Sequence, residues 1–111
     1  MRRSFDKLVA RLYNIAKRFP NSPGVYVWRD ERQVPIYIGM AGSLKKRIAS
    51  YFLKNANDRV KEMVSLARSV TFTKTQSVLE AIVLEANLIK RHWPKYNVKD
   101  KDDRSFAYLV I

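Results

Sequence analysis

The sequence predicts an α+β domain, because helical and strand patterns both occur within 111 residues, a length that suits a single domain. In segments 4–19 and 77–92, apolar residues recur every three or four positions, as they do in amphipathic helices. The short runs GVYVW (24–28) and PIYIG (35–39) are rich in β-branched and aromatic residues, as strands are. We therefore expect one domain over residues 1–111, with a core of about residues 20–99, that combines helices with a small sheet.

The first half of the chain is predicted to form a helix followed by a β-hairpin. The helix of residues 4–19 should end at Pro20, and the charged segment 29–34 should form the turn of the hairpin. Alternation along the two strands gives each strand an aliphatic face and an aromatic face. The aliphatic faces carry Val25 and Val27 in the first strand, and Ile36 and Ile38 in the second; the aromatic faces carry Tyr26, Trp28 and Tyr37.

The second half is predicted to contain three helices and two strands. Helices are expected over 42–54, over 59–68 and over 77–92, and strands over 69–74 and 105–111. Ser43 should begin the first of these helices. Ser77 and Glu80 form the S-x-x-E pattern of a capping box, which assigns Glu80 a structural role. Because the chain stops on apolar residues, we expect it to be the N-terminal fragment of a longer protein.

The charge of the chain indicates a polyanionic partner. It has 22 Lys and Arg against 10 Asp and Glu, a formal net charge of +12 and a pI of about 10.2. Such an excess in a small domain is typical of proteins that bind nucleic acid. The alternatives are a basic but solvated surface, or a structural role of the kind that ribosomal proteins have.

Several chemistries are excluded by residue type. The chain has no cysteine, so it has no disulfide, thiol nucleophile or thiolate zinc site, and a reducing cytoplasm is the expected location. His92 is the only histidine, which excludes a zinc site with two histidines. The sequence contains no G-x-x-x-x-G-K-[ST] loop for nucleotide hydrolysis. It also has no apolar run long enough to span a bilayer and no signal peptide.

Glu85 is the acidic residue whose setting is hardest to explain structurally. Its helical neighbours three and four positions away are all apolar: Ala81, Ile82, Leu88 and Ile89. A carboxylate on such a stripe is costly to desolvate unless it is paired or binds a metal. The structural alternative is a rim position, where Glu85 leans outward or pairs with an arginine. Asp100, Asp102 and Asp103 form a second carboxylate cluster, which is more typical of a solvated loop than of a cation site.

At several places the sequence resembles a known family. GVY (24–26) and YIG (37–39) resemble the signature of GIY-YIG nucleases. The longer stretches YIGMAGSLKKRIASYF, LEANLIKRHWPKYNV and DDRSFAYLVI are similar to the N-terminal domain of the UvrC family of excinucleases. The resemblance covers most of residues 20–111. It implies a small, mostly antiparallel three-stranded sheet flanked by helices.

The resemblance also implies an activity and a metal. Members of this family are endonucleases of nucleotide excision repair, which hydrolyse a phosphodiester of damaged double-stranded DNA on the 3′ side of a lesion, together with UvrB. By resemblance, Glu85 is the ligand of one divalent cation, Mg²⁺ or Mn²⁺. Tyr26 and Tyr37 would lie in the active site, where one of them helps to deprotonate the attacking water.

Three more site residues follow from the resemblance. Arg47 would contact the scissile region, Tyr51 would be a further active-site tyrosine on the same helix, and Asn97 would support the site. From charge alone, contacts to DNA phosphates are expected from lysines and arginines outside the signature. The residues predicted to bind nucleic acid are Lys45, Lys46, Arg47, Lys90, Arg91 and Lys95.

Met40 departs from the family pattern. The UvrC family usually has a lysine directly after YIG, and methionine can neither contact a phosphate by charge nor lower the pKa of a tyrosine. This leaves two alternatives to an active excision-repair nuclease. One is a DNA-binding GIY-YIG module with weakened catalysis, and the other is a stand-alone GIY-YIG nuclease.

Overall fold

A computed structural model of the chain describes residues 2–97, with side chains described from residue 7 onward. Its elements, in chain order, are α1 (Arg2–Ala16), β1 (Gly24–Arg29), β2 (Pro35–Ala41), α2 (Leu44–Ser50), α3 (Asp58–Leu66), β3 (Ser69–Lys74) and α4 (Val78–His92). The predicted strand over 105–111 and the Asp100–Asp103 cluster lie outside the described residues. The helix expected over 4–19 ends at Ala16 and the helix expected over 42–54 ends at Ser50, so both end earlier than predicted.

The three described strands form one antiparallel sheet in the order β2-β1-β3, which confirms the predicted fold class. In the β1–β2 hairpin, Tyr26 lies opposite Gly39 and Trp28 lies opposite Tyr37. On the other side of β1, Tyr26 lies opposite Phe72 of β3. The strand that carries the first tyrosine of the signature is therefore central, whereas β2, which carries YIG, is an edge strand.

The two faces of the sheet are covered by different helices. On the first face, Tyr26 and Trp28 belong to the larger core cluster, which also contains Leu12 of α1, Ile48 of α2 and Met63 of α3. On the second face, a smaller cluster joins the sheet to α4. That cluster contains Val25, Ile38 and Ala81, with Val27, Met40, Leu84, Leu88 and Ile89 packed against it. The sheet thus lies between α4 and the other three helices.

The predicted aromatic face is confirmed, but one prediction about the aliphatic face is wrong. Ile36 and Ile38 do not share a face, because Ile36 packs in the larger cluster with Trp28 and Ile38 packs in the α4 cluster. The pairing register shifts between Trp28 and Arg29, so that Pro35 follows Tyr37 as the next paired residue of β2. Ile36 is the extra residue of this irregularity. A bulge of this kind redirects a side chain, and simple alternation cannot anticipate it.

The N-terminal ends of α2 and α4 are set by the residues predicted to cap them. The Ser43 hydroxyl accepts a hydrogen bond from the Lys46 backbone N–H at 3.3 Å. At α4, the Ser77 hydroxyl accepts from the Glu80 N–H at 3.1 Å, and the Glu80 carboxylate accepts from the Gln76 N–H at 2.9 Å. The structural role predicted for Glu80 is therefore confirmed, with Gln76 as its partner.

None of the helices in residues 2–97 is long and apolar enough to cross a membrane.

Candidate active site

Three tyrosines from different elements meet on the first face of the sheet. Tyr26 comes from β1, Tyr37 from β2, and Tyr51 from the residue that directly follows α2. The hydroxyl oxygens of Tyr26 and Tyr51 are 2.6 Å apart and share a hydrogen bond. The ring centroid of Tyr37 lies 6.3 Å from that of Tyr26 and 6.5 Å from that of Tyr51. The fold therefore brings together residues that are up to 25 positions apart in sequence.

Burial makes two of these phenols poor acids. Tyr26 is only 2% exposed and Tyr51 is half-buried. Burial raises the pKa of Tyr26 above its ordinary value, and the neighbouring Tyr37 and Glu85 raise that pKa further. Burial also raises the pKa of Tyr51. The two hydroxyls share a hydrogen bond in which either can be the donor, and this bond lowers the pKa of Tyr26 and raises that of Tyr51.

Gly39 leaves the space that Tyr26 occupies. A Cβ atom at Gly39 would collide with the hydroxyl oxygen and Cζ of Tyr26 and would lie 2.9 Å from its Cε2. The two residues face each other across the hairpin, so the ring of Tyr26 lies over the bare backbone of Gly39. The glycine of YIG is thus required for the close approach of the first tyrosine of the signature.

Asn97 fixes the backbone of β2 from outside the sheet. Its side-chain oxygen accepts from the Ile38 N–H at 2.7 Å, and its side-chain nitrogen donates to the Ile38 carbonyl at 2.8 Å. The residue is buried, with 9% of its surface exposed. Since β2 lies at an edge of the sheet that residues 2–97 form, the amide of Asn97 satisfies a backbone pair that no strand among these residues reaches.

An open cleft of about 390 Å³ begins at this tyrosine cluster. Tyr37, Tyr51 and Arg47 form one part of its lining together with Ser50. The rest comes from the loop before α3, from α3 itself and from Tyr96. Arg47 is exposed and lies one helical turn before Tyr51. Its positive charge lowers the pKa of Tyr26. The cleft is therefore an open approach to the tyrosines with a positive charge in its lining.

Glu85 lies at the margin of the helix face that packs on the sheet. Of its four apolar neighbours, Ala81 is fully buried, whereas Ile82 is 48% exposed. Glu85 itself is half-buried. The carboxylate also lies near enough to Tyr26 to help raise the pKa of that phenol. The arrangement is therefore compatible with the rim position that the sequence left open, and the charge of Glu85 acts on Tyr26.

The donor set of the site suits a hard cation that keeps most of its water. Among residues 7–97, whose side chains the structure describes, no group of three or more His, Cys, Asp or Glu side chains lies close enough together to hold a metal. Glu85 is the carboxylate whose charge raises the pKa of Tyr26, so it is the acidic group that acts on the tyrosine cluster. Mg²⁺ is commonly bound through one or two carboxylates with several waters, so a single half-buried carboxylate fits it.

Met40 lies on the opposite face of the sheet from Tyr26. It pairs with Val25 across the hairpin and packs against the α4 cluster of Val25, Ile38 and Ala81. Its side chain is half-buried. The residue that departs from the family pattern therefore fills space between β2 and α4, the helix that carries Glu85.

The predicted phosphate-binding residues fall into two groups. Lys45 and Lys46 are exposed on α2 beside Arg47, whereas three other basic residues lie at and after the end of α4: Lys90, Arg91 and Lys95. Of all these, Arg47 lines the cleft.

The sequence interpretation missed Arg59, which lies in the first turn of α3 and also lines the cleft. One sequence signal points to it. A cation in the first turn opposes the helix dipole, so helix stability does not explain its presence there.

The strand order, the tyrosine cluster and Gly39, which lies opposite Tyr26, together define the GIY-YIG class of nuclease domain. A family model described as the UvrC-like GIY-YIG domain matches residues 22–98. Because this match covers more than half of the sequence, the chain belongs to the UvrC-like GIY-YIG domain family.

Curated relatives carry the same assignment. The chain is 47% identical over 95 residues to UvrABC system protein C of Desulforudis audaxviator, an alignment that covers 86% of the chain and 16% of that protein. It is 39% identical over 101 residues to the protein of the same name from Treponema denticola, covering 91% of the chain and 16% of that protein. The chain thus spans about a sixth of the length of these relatives.

Solved structures agree with the fold. The GIY-YIG N-terminal endonuclease domain of UvrC from Thermotoga maritima, bound to its catalytic divalent cation, magnesium, matches with a TM-score of 0.72 and 36% identity. The match covers 78% of this chain and 94% of that one. A point mutant of the same domain, in which one asparagine is replaced by alanine, is also bound to its catalytic divalent cation and matches with a TM-score of 0.73.

Proposed function

We propose that this chain is a metal-dependent DNA endonuclease domain of nucleotide excision repair. Its substrate is damaged double-stranded DNA, in which it hydrolyses a phosphodiester on the 3′ side of the lesion. One observation carries the proposal: Tyr26, Tyr37 and Tyr51 form a cluster beside Arg47, and Glu85 lies within electrostatic reach of that cluster. Membership of the UvrC-like family, whose T. maritima domain binds a catalytic magnesium, supports the same reaction.

Glu85 is the protein ligand of one divalent cation, Mg²⁺ or Mn²⁺. When bound, the cation supplies Lewis acidity to a phosphate oxygen. Glu85 is half-buried on α4, so it is not fully withdrawn from solvent. Its neighbours Leu84, Leu88 and Ile89 pack against the sheet and so fix the helix that carries it.

Arg47 and the tyrosines perform the remaining tasks. The guanidinium of Arg47 contacts phosphate oxygens and stabilises the charge that develops on them. Tyr37 removes the proton from the attacking water, because it is half-buried and lines the open cleft, whereas Tyr26 is 2% exposed. An ordinary phenol has a pKa near 10, so such a base needs nearby positive charge, which Arg47 supplies from the same cleft.

Tyr51 and Asn97 hold these groups in place. Tyr51 keeps its proton, since burial and its hydrogen bonds raise its pKa, and its hydroxyl shares a hydrogen bond with that of Tyr26. Asn97 fixes the backbone at Ile38, the residue between Tyr37 and Gly39. Both are positioning residues in this proposal.

The basic residues outside the cleft bind DNA without reading its sequence, and UvrB engages other parts of the full-length protein. Lys45 and Lys46 are exposed on the same helix as Arg47, so they contact phosphates near the cut. Lys90, Arg91 and Lys95 form a second group of exposed cations, which contacts phosphates farther along the duplex.

Replacing Glu85 tests the proposal directly. In the full-length protein assembled with UvrB on damaged DNA, Glu85→Gln should lower 3′ incision by about a hundredfold or more, since it removes the charge that holds the cation. DNA binding and the thermal midpoint should not change. Glu31→Gln is the matched control, because it neutralises an exposed acid in the turn of the hairpin. Full incision by Glu85→Gln would rule out the metal role of Glu85.

Met40 supports a second candidate function, a DNA-binding GIY-YIG module with weakened catalysis. Its side chain is apolar and packs between β2 and α4, where the family usually has a cation. On this view Met40→Lys should raise the incision rate in the same assay while the affinity for DNA stays the same. An unchanged rate would exclude methionine as a cause of weak catalysis.

A further inference from the structure

The cleft beside the tyrosines continues into a region to which the sequence assigned no function. One part of its lining is formed by the candidate active-site residues Tyr37, Arg47 and Tyr51, together with Ser50 of α2. The rest comes from the loop before α3, from α3 itself and from the turn after α4: Ala56, Asn57, Arg59, Val60, Met63 and Tyr96. With about 390 Å³, the cleft is within the size range of sites for small ligands.

The chemistry of the lining suits one nucleotide. Arg47 and Arg59 give two positive charges from two different helices, and the described residues that line the cleft include no carboxylate. Ser50 and Asn57 add polar groups, while Val60 and Met63 provide an apolar wall. Cations for phosphates beside aromatic and apolar surfaces for a sugar and base are the recurring features of grooves that hold a single nucleic-acid strand.

Arg59 is held in the wall of this cleft. Its guanidinium donates to the backbone carbonyl of Tyr96 at 2.8 Å, which ties α3 to the turn that carries Asn97. The side chain is half-buried, so its direction is restricted. A guanidinium has five N–H donors in a fixed plane, so a bond to a carbonyl is compatible with a contact to a phosphate.

We propose that this cleft binds the nucleotide next to the scissile phosphate on the incised strand, and that Arg59 contacts the far phosphate of that nucleotide. The proposal rests on the nuclease function proposed above. Arg47 and Tyr37 lie at the cut, and the strand then passes over Val60 and Met63 to reach Arg59. Arg59 acts in this way as a substrate-positioning residue.

The test combines a change in the protein with a change in the DNA. The full-length protein is assembled with UvrB on damaged DNA that carries one neutral methylphosphonate at successive phosphates on either side of the cut. At one flanking phosphate the modification should slow wild-type incision by roughly tenfold or more. On unmodified DNA, Arg59→Ala should incise more slowly than the wild type by a similar factor. On DNA modified at that phosphate, the incision rate of Arg59→Ala should fall no further.

Two controls separate this contact from a structural effect of Arg59. Lys61→Ala removes one exposed charge from the same helix without changing the lining of the cleft, and it should leave the methylphosphonate profile of the wild type unchanged. Arg59→Lys keeps the charge and should recover part of the rate. The alternative is that Arg59→Ala acts only by displacing Tyr96. In that case the fold-decrease in incision rate that it causes should multiply with the fold-decrease caused by the modified phosphate, whichever phosphate is modified. That result would show the proposal to be wrong.

Two further outcomes complete the test. If the wild type tolerates methylphosphonate at every flanking phosphate, the cleft does not hold this nucleotide. The Glu85→Gln variant in the same assay keeps the two proposals apart. If Glu85→Gln loses incision while the effect of Arg59→Ala is independent of the methylphosphonate, the proposed nuclease function stands and only the proposed nucleotide subsite fails.

Discussion

Tyr26 and Gly39 form one unit across the β-hairpin. The ring of Tyr26 occupies the volume that a side chain at residue 39 would fill, and its hydroxyl bonds to that of Tyr51. One half of the signature thus supplies the phenol of Tyr26, and the other half supplies, at Gly39, the space that this phenol occupies. The packing that results also buries Tyr26 almost completely.

Replacing Gly39 by alanine should displace Tyr26. The added Cβ would overlap the hydroxyl and ring of the tyrosine, and overpacking of this kind costs about 1–3 kcal/mol of unfolding free energy. Chemical denaturation measures that loss. Gly42→Ala is the matched control, because a Cβ there would meet only Val78 Cγ2, at an ordinary 3.8 Å. Equal stability of the two variants would contradict this account of Gly39.

The raised pKa of Tyr26 predicts how stability depends on pH. Above about pH 10 an unfolded tyrosine loses its proton, whereas burial keeps Tyr26 protonated in the folded domain. The unfolded state then binds fewer protons, so the unfolding free energy should fall as the pH rises, by up to about 1.4 kcal/mol per pH unit for one such tyrosine.

Urea denaturation at a series of pH values between about 9 and 11 measures this slope. Tyr26→Phe should make it shallower, because it removes one buried phenol. Tyr13→Phe is the control, since Tyr13 is 43% exposed on α1. An identical slope in wild type and Tyr26→Phe would show that Tyr26 ionises equally in both states.

At the scale of elements, β2 is the part of the sheet that needs outside support. It is an edge strand, and it carries both Tyr37 and Gly39. The amide of Asn97 bonds both backbone groups of Ile38 between them. A residue that follows α4 therefore takes the place of a fourth strand at one position.

Asn97→Ala should lower the unfolding free energy by about 2–4 kcal/mol, because it leaves a buried N–H and a buried carbonyl without partners. Thermal or chemical denaturation gives the value. Asn14→Ala provides the comparison, as Asn14 is exposed on α1. Amide exchange at Ile38 should also become faster in Asn97→Ala, and unchanged protection there would mean that the strand edge has another partner.

The elements were more predictable than the way they pack. The patterns of β1, β2, β3, α3 and α4 were sufficient to locate them, since alternation and helical spacing reflect which residues each element buries. The bulge at Ile36 was not predictable, because it depends on the pairing register between two strands. The early end of α2, just before Tyr51, likewise depends on where that ring packs against Trp28 and Tyr26.

For the whole molecule, the net charge of +12 is distributed over separate exposed groups. One group lies on α2 next to the cleft, and another lies at and beyond the end of α4. Part of the second group also has a local role, because Lys90 and Arg91 in the last turn interact favourably with the dipole of α4. Charge alone therefore does not say which cations contact DNA.

Salt dependence distinguishes these roles. Affinity for DNA should fall steeply with salt, and Lys45→Ala and Lys46→Ala should each make the slope of log K against log salt shallower by about 0.9. Fluorescence anisotropy with a labelled duplex measures the slopes. Arg32→Ala is the control, because Arg32 lies in the exposed loop at the opposite end of the hairpin from α2. A change as large in Arg32→Ala would indicate diffuse attraction rather than defined contacts.

The sequence by itself determined the class of fold, the N-terminal ends of α2 and α4, and the types of residue expected in the site. These features depend on local patterns of burial, capping and motif spacing, which are visible in residues that lie close together in the sequence. The tertiary structure alone decided that Tyr26 and Tyr51 share a hydrogen bond, that Asn97 completes the edge of β2, and that Arg59 lines the same cleft as Arg47. These contacts join residues from separate elements, and their geometry depends on strand register and helix docking, which are fixed only when the whole chain packs.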